Sequence, residues 1–69
     1  MKLSARNQLK GKVVDIKMGA TTAHVSVEIA GGTRMTASIT NEAVEDLALK
    51  KGQVVIVVVK ASDVMIATE

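Results

Sequence analysis

The chain has 69 residues and a formal net charge of +2, from nine Lys and Arg against seven Asp and Glu. Apolar residues make up 48% of it, yet Phe, Tyr, Trp and Cys are all absent. That composition excludes disulfides, zinc sites of the thiolate type and a multidomain enzyme, and leaves one small domain over residues 1–69 with a core of Val, Ala, Ile, Leu and Met. Without rings that each bury roughly 150–250 Å², such a core is weak by itself, so self-association is the expected supplement.

In chain order, Met1 to Arg6 lacks the apolar stretch of about 7–15 residues that marks a secretory signal, and a cytoplasmic location is expected. Leu9 to Met18 reads as a first strand. Its apolar parity changes from Leu9 and Val13 to Val14, Ile16 and Met18, which places a β-bulge near Val13 and Val14. Met18, Gly19 and Ala20 supply the turn into a second strand, where Ala23, Val25, Val27 and Ile29 alternate with His24, Ser26 and Glu28. Met35, Ala37 and Ile39 then alternate with Arg34, Thr36 and Ser38. Keeping Ile29 and Met35 on one face favours a three-residue loop of Gly31, Gly32 and Thr33.

Thr40 to Leu49 breaks the alternation, with Val44, Leu47 and Ala48 at helical spacing. Thr40 or Asn41 caps the start, Lys50 and Lys51 sit near the negative end, and Gly52 ends the segment. Gln53 to Lys60 and Val64 to Ala67 follow as two more strands around a tight turn of Ala61, Ser62 and Asp63. The order predicts a mainly β fold, a five-stranded OB-type barrel with one short helix between strands 3 and 4. Val54 to Val59 is apolar at every position, although a barrel interior receives alternate residues only. The outward set therefore needs cover, from the helix or from a second subunit. Six apolar residues are far short of the roughly 20 of a membrane span, and no membrane partner is expected.

Chemistry is sparse. One His and no Cys cannot assemble a nucleophile–base pair or a metal cluster in one chain, so the protein is not expected to be an enzyme or to carry a cofactor or metal cation. His24 lies on the polar face of its strand and reads as a surface or interface side chain. An OB-type nucleic-acid-binding module is the alternative function, but such barrels stack bases on aromatic rings, and this chain has none. What remains is a set of hydroxyls and cations at the ends of strands: Ser4, Arg6 and Asn7 before the first, and Lys60, Ala61 and Ser62 after the fourth. Hydroxyls, backbone N–H groups and an ammonium suit a small tetrahedral oxyanion, which accepts hydrogen bonds in all directions. A frayed terminus and an ordinary turn with a solvated lysine are the alternative reading of the same residues.

Three segments carry a resemblance that bears on this choice: Ser4-Ala5-Arg6-Asn7-Gln8-Leu9-Lys10-Gly11, Ile39-Thr40-Asn41-Glu42, and Lys60-Ala61-Ser62-Asp63-Val64-Met65-Ile66. Together they resemble the molbindins, small cytoplasmic molybdate-binding proteins built from a single Mop (TOBE-like) domain, over Lys2 to Ala67. The resemblance implies an OB-like fold, a homohexamer arranged as a trimer of dimers, and molybdate or tungstate bound between subunits. It places Ser4, Ala5 and Arg6 of one chain opposite Lys60, Ala61 and Ser62 of another, with Lys60 supplying the charge and Arg6 acting mainly through its backbone. Thr22 and Ala23 are the weaker candidates, for main-chain sites near the threefold axis. Relatives often carry Ser where this chain has Ala43; if that hydroxyl reaches the anion elsewhere, about 1 kcal/mol of affinity is missing here.

Overall fold

The computed structural model describes residues 1–69. Four strands, β1 (Asn7–Met18), β2 (Thr22–Ile29), β3 (Arg34–Thr40) and β4 (Val54–Val59), form one antiparallel sheet in the order β3-β2-β1-β4. One short helix, α1 (Asn41–Asp46), joins β3 to β4, and a single 3-10 turn spans Ala61–Asp63.

β1 organises the sheet because it is long enough to pair on both sides. Its first half pairs with β4, from Asn7 opposite Val59 to Lys12 opposite Val54. Its second half pairs with β2, from Gly11 opposite Ile29 to Met18 opposite Ala23. Gly11 and Lys12 belong to both ladders. Between Val13 and Asp15 the register slips by one residue. The extra residue restores the inward direction of Ile16 and Met18 after the break in parity and increases the local twist. At the crossing, Gly11 leaves no room for a side chain: a Cβ there would lie 2.6 Å from Val27 Cγ1 and 2.8 Å from the Glu28 carbonyl oxygen. The close approach curls the sheet into a half-barrel.

The concave side holds the core, in which Val13, Ala23, Val25, Val27 and Val44 are buried and Ile16, Ile29, Ile39, Leu49, Val55 and Val57 pack around them. Alternation along β2, β3 and β4 delivers these residues to one face, as the period of two requires. Five buried residues out of 69 make a thin core. A cavity of about 490 Å³, lined almost entirely by hydrophobic residues, runs from Val25, Val27, Ile39, Leu49, Val55 and Val57 on this side round the β4 edge to Val54, Ile56 and Val58. β3 and β4 are the two free edges of the sheet.

Four expectations are corrected. The fifth strand is not formed, so the chain carries a four-stranded half-barrel in place of a five-stranded barrel. After β4 the backbone turns through Ala61–Asp63, the Val64 N–H donates to the Ala61 carbonyl, and Met65 and Ile66 end 90% and 86% exposed. No ladder partner within the chain meets that segment.

The hairpin between β2 and β3 has a three-residue loop, but the loop is Ala30, Gly31 and Gly32, with Ile29 N–H donating to the Thr33 carbonyl. Val27, not Ile29, lies opposite Met35. Gly31 and Gly32 both take positive φ, at 93° and 87°, which explains why the loop centres on them.

The helix ends at Asp46, well before Gly52. Leu49 N–H donates to the Val44 carbonyl and Ala48 N–H to that of Glu45, a Schellman ending with Ala48 in the left-handed region at φ 49°. No basic residue therefore lies in the last turn. Thr40 is the N-cap, its hydroxyl accepting the Ala43 N–H at 3.0 Å.

Finally, α1 packs on β2 and β3 and does not cover β4. Val54, Ile56 and Val58, on the outer face of that edge strand, stay 61%, 46% and 44% exposed. β4 is thus packed on its inner side only.

Candidate oxyanion site

Because Asn7 lies opposite Val59, the residues just before β1 and just after β4 are neighbours. Asn7 strengthens the junction from its side chain, Nδ2 donating to the Val59 carbonyl at 3.2 Å. Beyond this junction Ser4, Ala5, Arg6, Val58, Lys60, Ala61, Ser62 and Asp63 line one open cavity of about 660 Å³. All six residues expected to bind the oxyanion therefore line one cavity. The antiparallel β1–β4 ladder is the reason: it sets the start of one strand beside the end of the other.

The cavity is rich in donors. Lys60 has extended backbone, with φ −64° and ψ 131°, and the 3-10 turn that follows uses the Asp63 and Val64 N–H groups to close on the Lys60 and Ala61 carbonyls. The N–H groups of Ala61 and Ser62 donate to no carbonyl of the chain, as expected for the first turn of any helix, and neither do those of Ala5 and Arg6. Ser4 and Ser62 add hydroxyls, and Arg6 and Lys60 add two cations. The chain's two ion pairs lie elsewhere: Arg34 with Glu28 at 3.9 Å and Lys51 with Asp15 at 3.7 Å. Arg6 and Lys60 are thus left with no anionic partner in the chain. A small anion gains from such a set because charge-assisted hydrogen bonds are about twice as strong as neutral ones.

Thr22 and Ala23 are not among the lining residues. They open β2 at the turn after β1, where Gly19 N–H donates to the Thr22 carbonyl and Ala23 is fully buried. Asn41 holds this corner, its Nδ2 donating to the Gly19 carbonyl at 2.9 Å and its backbone N–H to that of Thr21. Ala43 is part of α1, and its N–H is already committed to the Thr40 cap. His24 is exposed, opposite Lys17 on one side and Ser38 on the other. No cluster of three His, Cys, Asp or Glu side chains that could hold a metal ion exists, and no helix is long and apolar enough to cross a membrane.

Two lining residues were not foreseen. Val58 points away from the core, so its strand parity placed it on the outer face without saying that this face adjoins the cavity. Asp63 reads from sequence as part of a turn, although it directly follows Ser62.

The profile of the TOBE domain family matches residues 3–66. The chain belongs to this family and is a molbindin. It is 54% identical over 66 residues to molybdenum-pterin-binding protein 2 of Clostridium pasteurianum, an alignment spanning 96% of this chain and 97% of that one. The structure of MopII from the same organism superposes with a TM-score of 0.92 at 52% identity, covering 97% of this chain and all of the other. The cytoplasmic molybdate-binding protein ModG, solved with molybdate bound, matches with a TM-score of 0.90 at 46% identity, covering 94% of this chain and 46% of its own.

Proposed function

We propose that the chain is a non-enzymatic binder of molybdate or tungstate that stores or buffers the anion in the cytoplasm. The observation that carries this reading is the cavity between the ends of β1 and β4, where the hydroxyls of Ser4 and Ser62, the cations of Arg6 and Lys60 and four free backbone N–H groups meet. Ala5 and Ala61 contribute through their backbones, which suits a ligand that wants many donors close together and no apolar contact. The family relatives support it: similar proteins are named for molybdenum or molybdate binding, and one was solved with molybdate in place.

The binding form is a homohexamer, a trimer of dimers. Three features support self-association: the open apolar concave face, the unpaired segment after Asp63, and the exposed Val54, Ile56 and Val58. A copy that runs its Val64 to Ala67 along a free sheet edge of its neighbour supplies the fifth strand and closes an OB-type barrel. Val58 lines the anion cavity from the same outer face, so a neighbour docked there also closes the site. Thr22 and Ala23 remain the candidates for a second class of site formed by main-chain groups on assembly. An anion bound only by the assembled form stabilises that form by mass action.

Titration calorimetry with molybdate, tungstate and sulfate tests the reading, with a single-stranded oligonucleotide as the control for the OB-module alternative. Heat from the first two anions and none from the oligonucleotide at about 150 mM salt is the expected outcome. Silence from both anions at micromolar protein would end the proposal.

A further inference from the structure

The cavity wall contains one group that does not fit a pure anion trap. Asp63 lines it together with Arg6 and Lys60. Its carboxylate makes no hydrogen bond within the chain, and neither of the two ion pairs includes it. Only its backbone takes part in the 3-10 turn, the N–H donating to the Lys60 carbonyl at 2.9 Å beside the Val64–Ala61 bond. The side chain is exposed at the first turn of the 3-10 helix and is held by no other group of the chain. An ionised carboxylate only accepts hydrogen bonds, so it offers nothing to a fully deprotonated dianion except repulsion.

We propose that Asp63 is an affinity-setting residue of this site: its negative charge lowers the attraction of Arg6 and Lys60 for a tetrahedral dianion, so the bound anion exchanges instead of being held permanently. The inference rests on the oxyanion reading above and deepens it. Two cations and one carboxylate leave the cavity with one net positive charge against a ligand carrying two negative ones. The unfavourable interaction of a unit charge with a dianion in a wet, exposed cavity corresponds to a change of about 3- to 10-fold in affinity, and it is screened by salt.

Two variants of the full chain separate charge from shape. Asp63→Asn keeps the size and the backbone hydrogen bond and removes the charge, whereas Asp63→Glu keeps the charge. Molybdate is titrated into each at low ionic strength and again at about 0.5 M salt, where the Debye length is only a few ångströms. The expected result is binding about 3- to 10-fold tighter for Asp63→Asn at low salt, a smaller gain at high salt, and wild-type behaviour for Asp63→Glu. Equal or weaker binding by Asp63→Asn, or a shift in Asp63→Glu as large as that of Asp63→Asn, overturns the inference. Absence of molybdate binding by the wild type is a different outcome: it overturns the oxyanion reading, and the assignment of Asp63 with it.

Discussion

Asn7 and Val59 face each other at the end of the β1–β4 ladder and are fastened twice, by their ladder position and by the Asn7 side-chain amide on the Val59 carbonyl. Every lining residue of the proposed oxyanion cavity except Val58 lies directly beyond this pair, Ser4 to Arg6 on one side and Lys60 to Asp63 on the other. The pair thus sets the spacing between two halves that are more than fifty residues apart in sequence. Replacing Asn7 by Ala removes the side-chain bond and is expected to cost about 1 kcal/mol of stability and to weaken molybdate binding more than a substitution elsewhere on β1. Urea unfolding and a molybdate titration on the same variant check it; unchanged affinity would show that the ladder alone holds the site.

Lys60→Ala removes the ammonium beside the free N–H groups of Ala61 and Ser62. Anion affinity is expected to fall about tenfold, since charge-assisted hydrogen bonds are worth roughly 1.5–3 kcal/mol and solvent takes up part of the loss. Scattering mass is expected to stay as in the wild type, because the side chain is exposed. Wild-type affinity would remove Lys60 from the site.

Ala48 takes a left-handed conformation at φ 49° in the Schellman ending of α1. Glycine adopts that region without the Cβ penalty, so Ala48→Gly is expected to stabilise the fold by up to about 1 kcal/mol and raise the melting temperature by several degrees. Calorimetric melting decides it, and a lower Tm would argue against this ending.

Gly11→Ala acts in the opposite direction. The added methyl group meets both a side chain and a carbonyl of β2 at under 3 Å, and the sheet must open to admit it. A loss of at least about 1–3 kcal/mol is expected, as for other overpacked sites. Chemical denaturation with an unchanged midpoint would show that β1 and β2 can separate at this crossing without loss of stability.

Ile56→Lys places a charge on the exposed outer face of β4 without touching the inner one. A smaller scattering mass with the far-UV spectrum of a β protein is the expected result. A wild-type mass would exclude this face from the subunit contact.

Much of the fold was legible in the residues. Alternation located β2 and β3, the parity change between Val13 and Val14 located the bulge, and the Thr40–Asn41 pair marked the helix start, because side-chain direction and capping are local properties. The absence of aromatic rings weighed against stacked bases and toward hydroxyls, amides and a lysine. Other features are not local. The hairpin loop moved by one residue because hydrogen bonding across the β2–β3 ladder, not the positions of the glycines alone, set its register. The helix stopped at Asp46 because Leu49 packs back against the core with Val44, a contact that propensity does not contain.

By itself, then, the sequence determined a half-apolar β protein without rings or thiols, with donors concentrated just outside two of its strands. Only the tertiary structure decided that these donors share one cavity, that Val58 and Asp63 line it too, and that one chain by itself forms a half-barrel with no ladder partner for Val64 to Glu69. The physical reason is the same in each case. Side-chain alternation is written into a strand's own residues, whereas a strand's partner, its register and the neighbours beyond its ends arise only when distant segments pair.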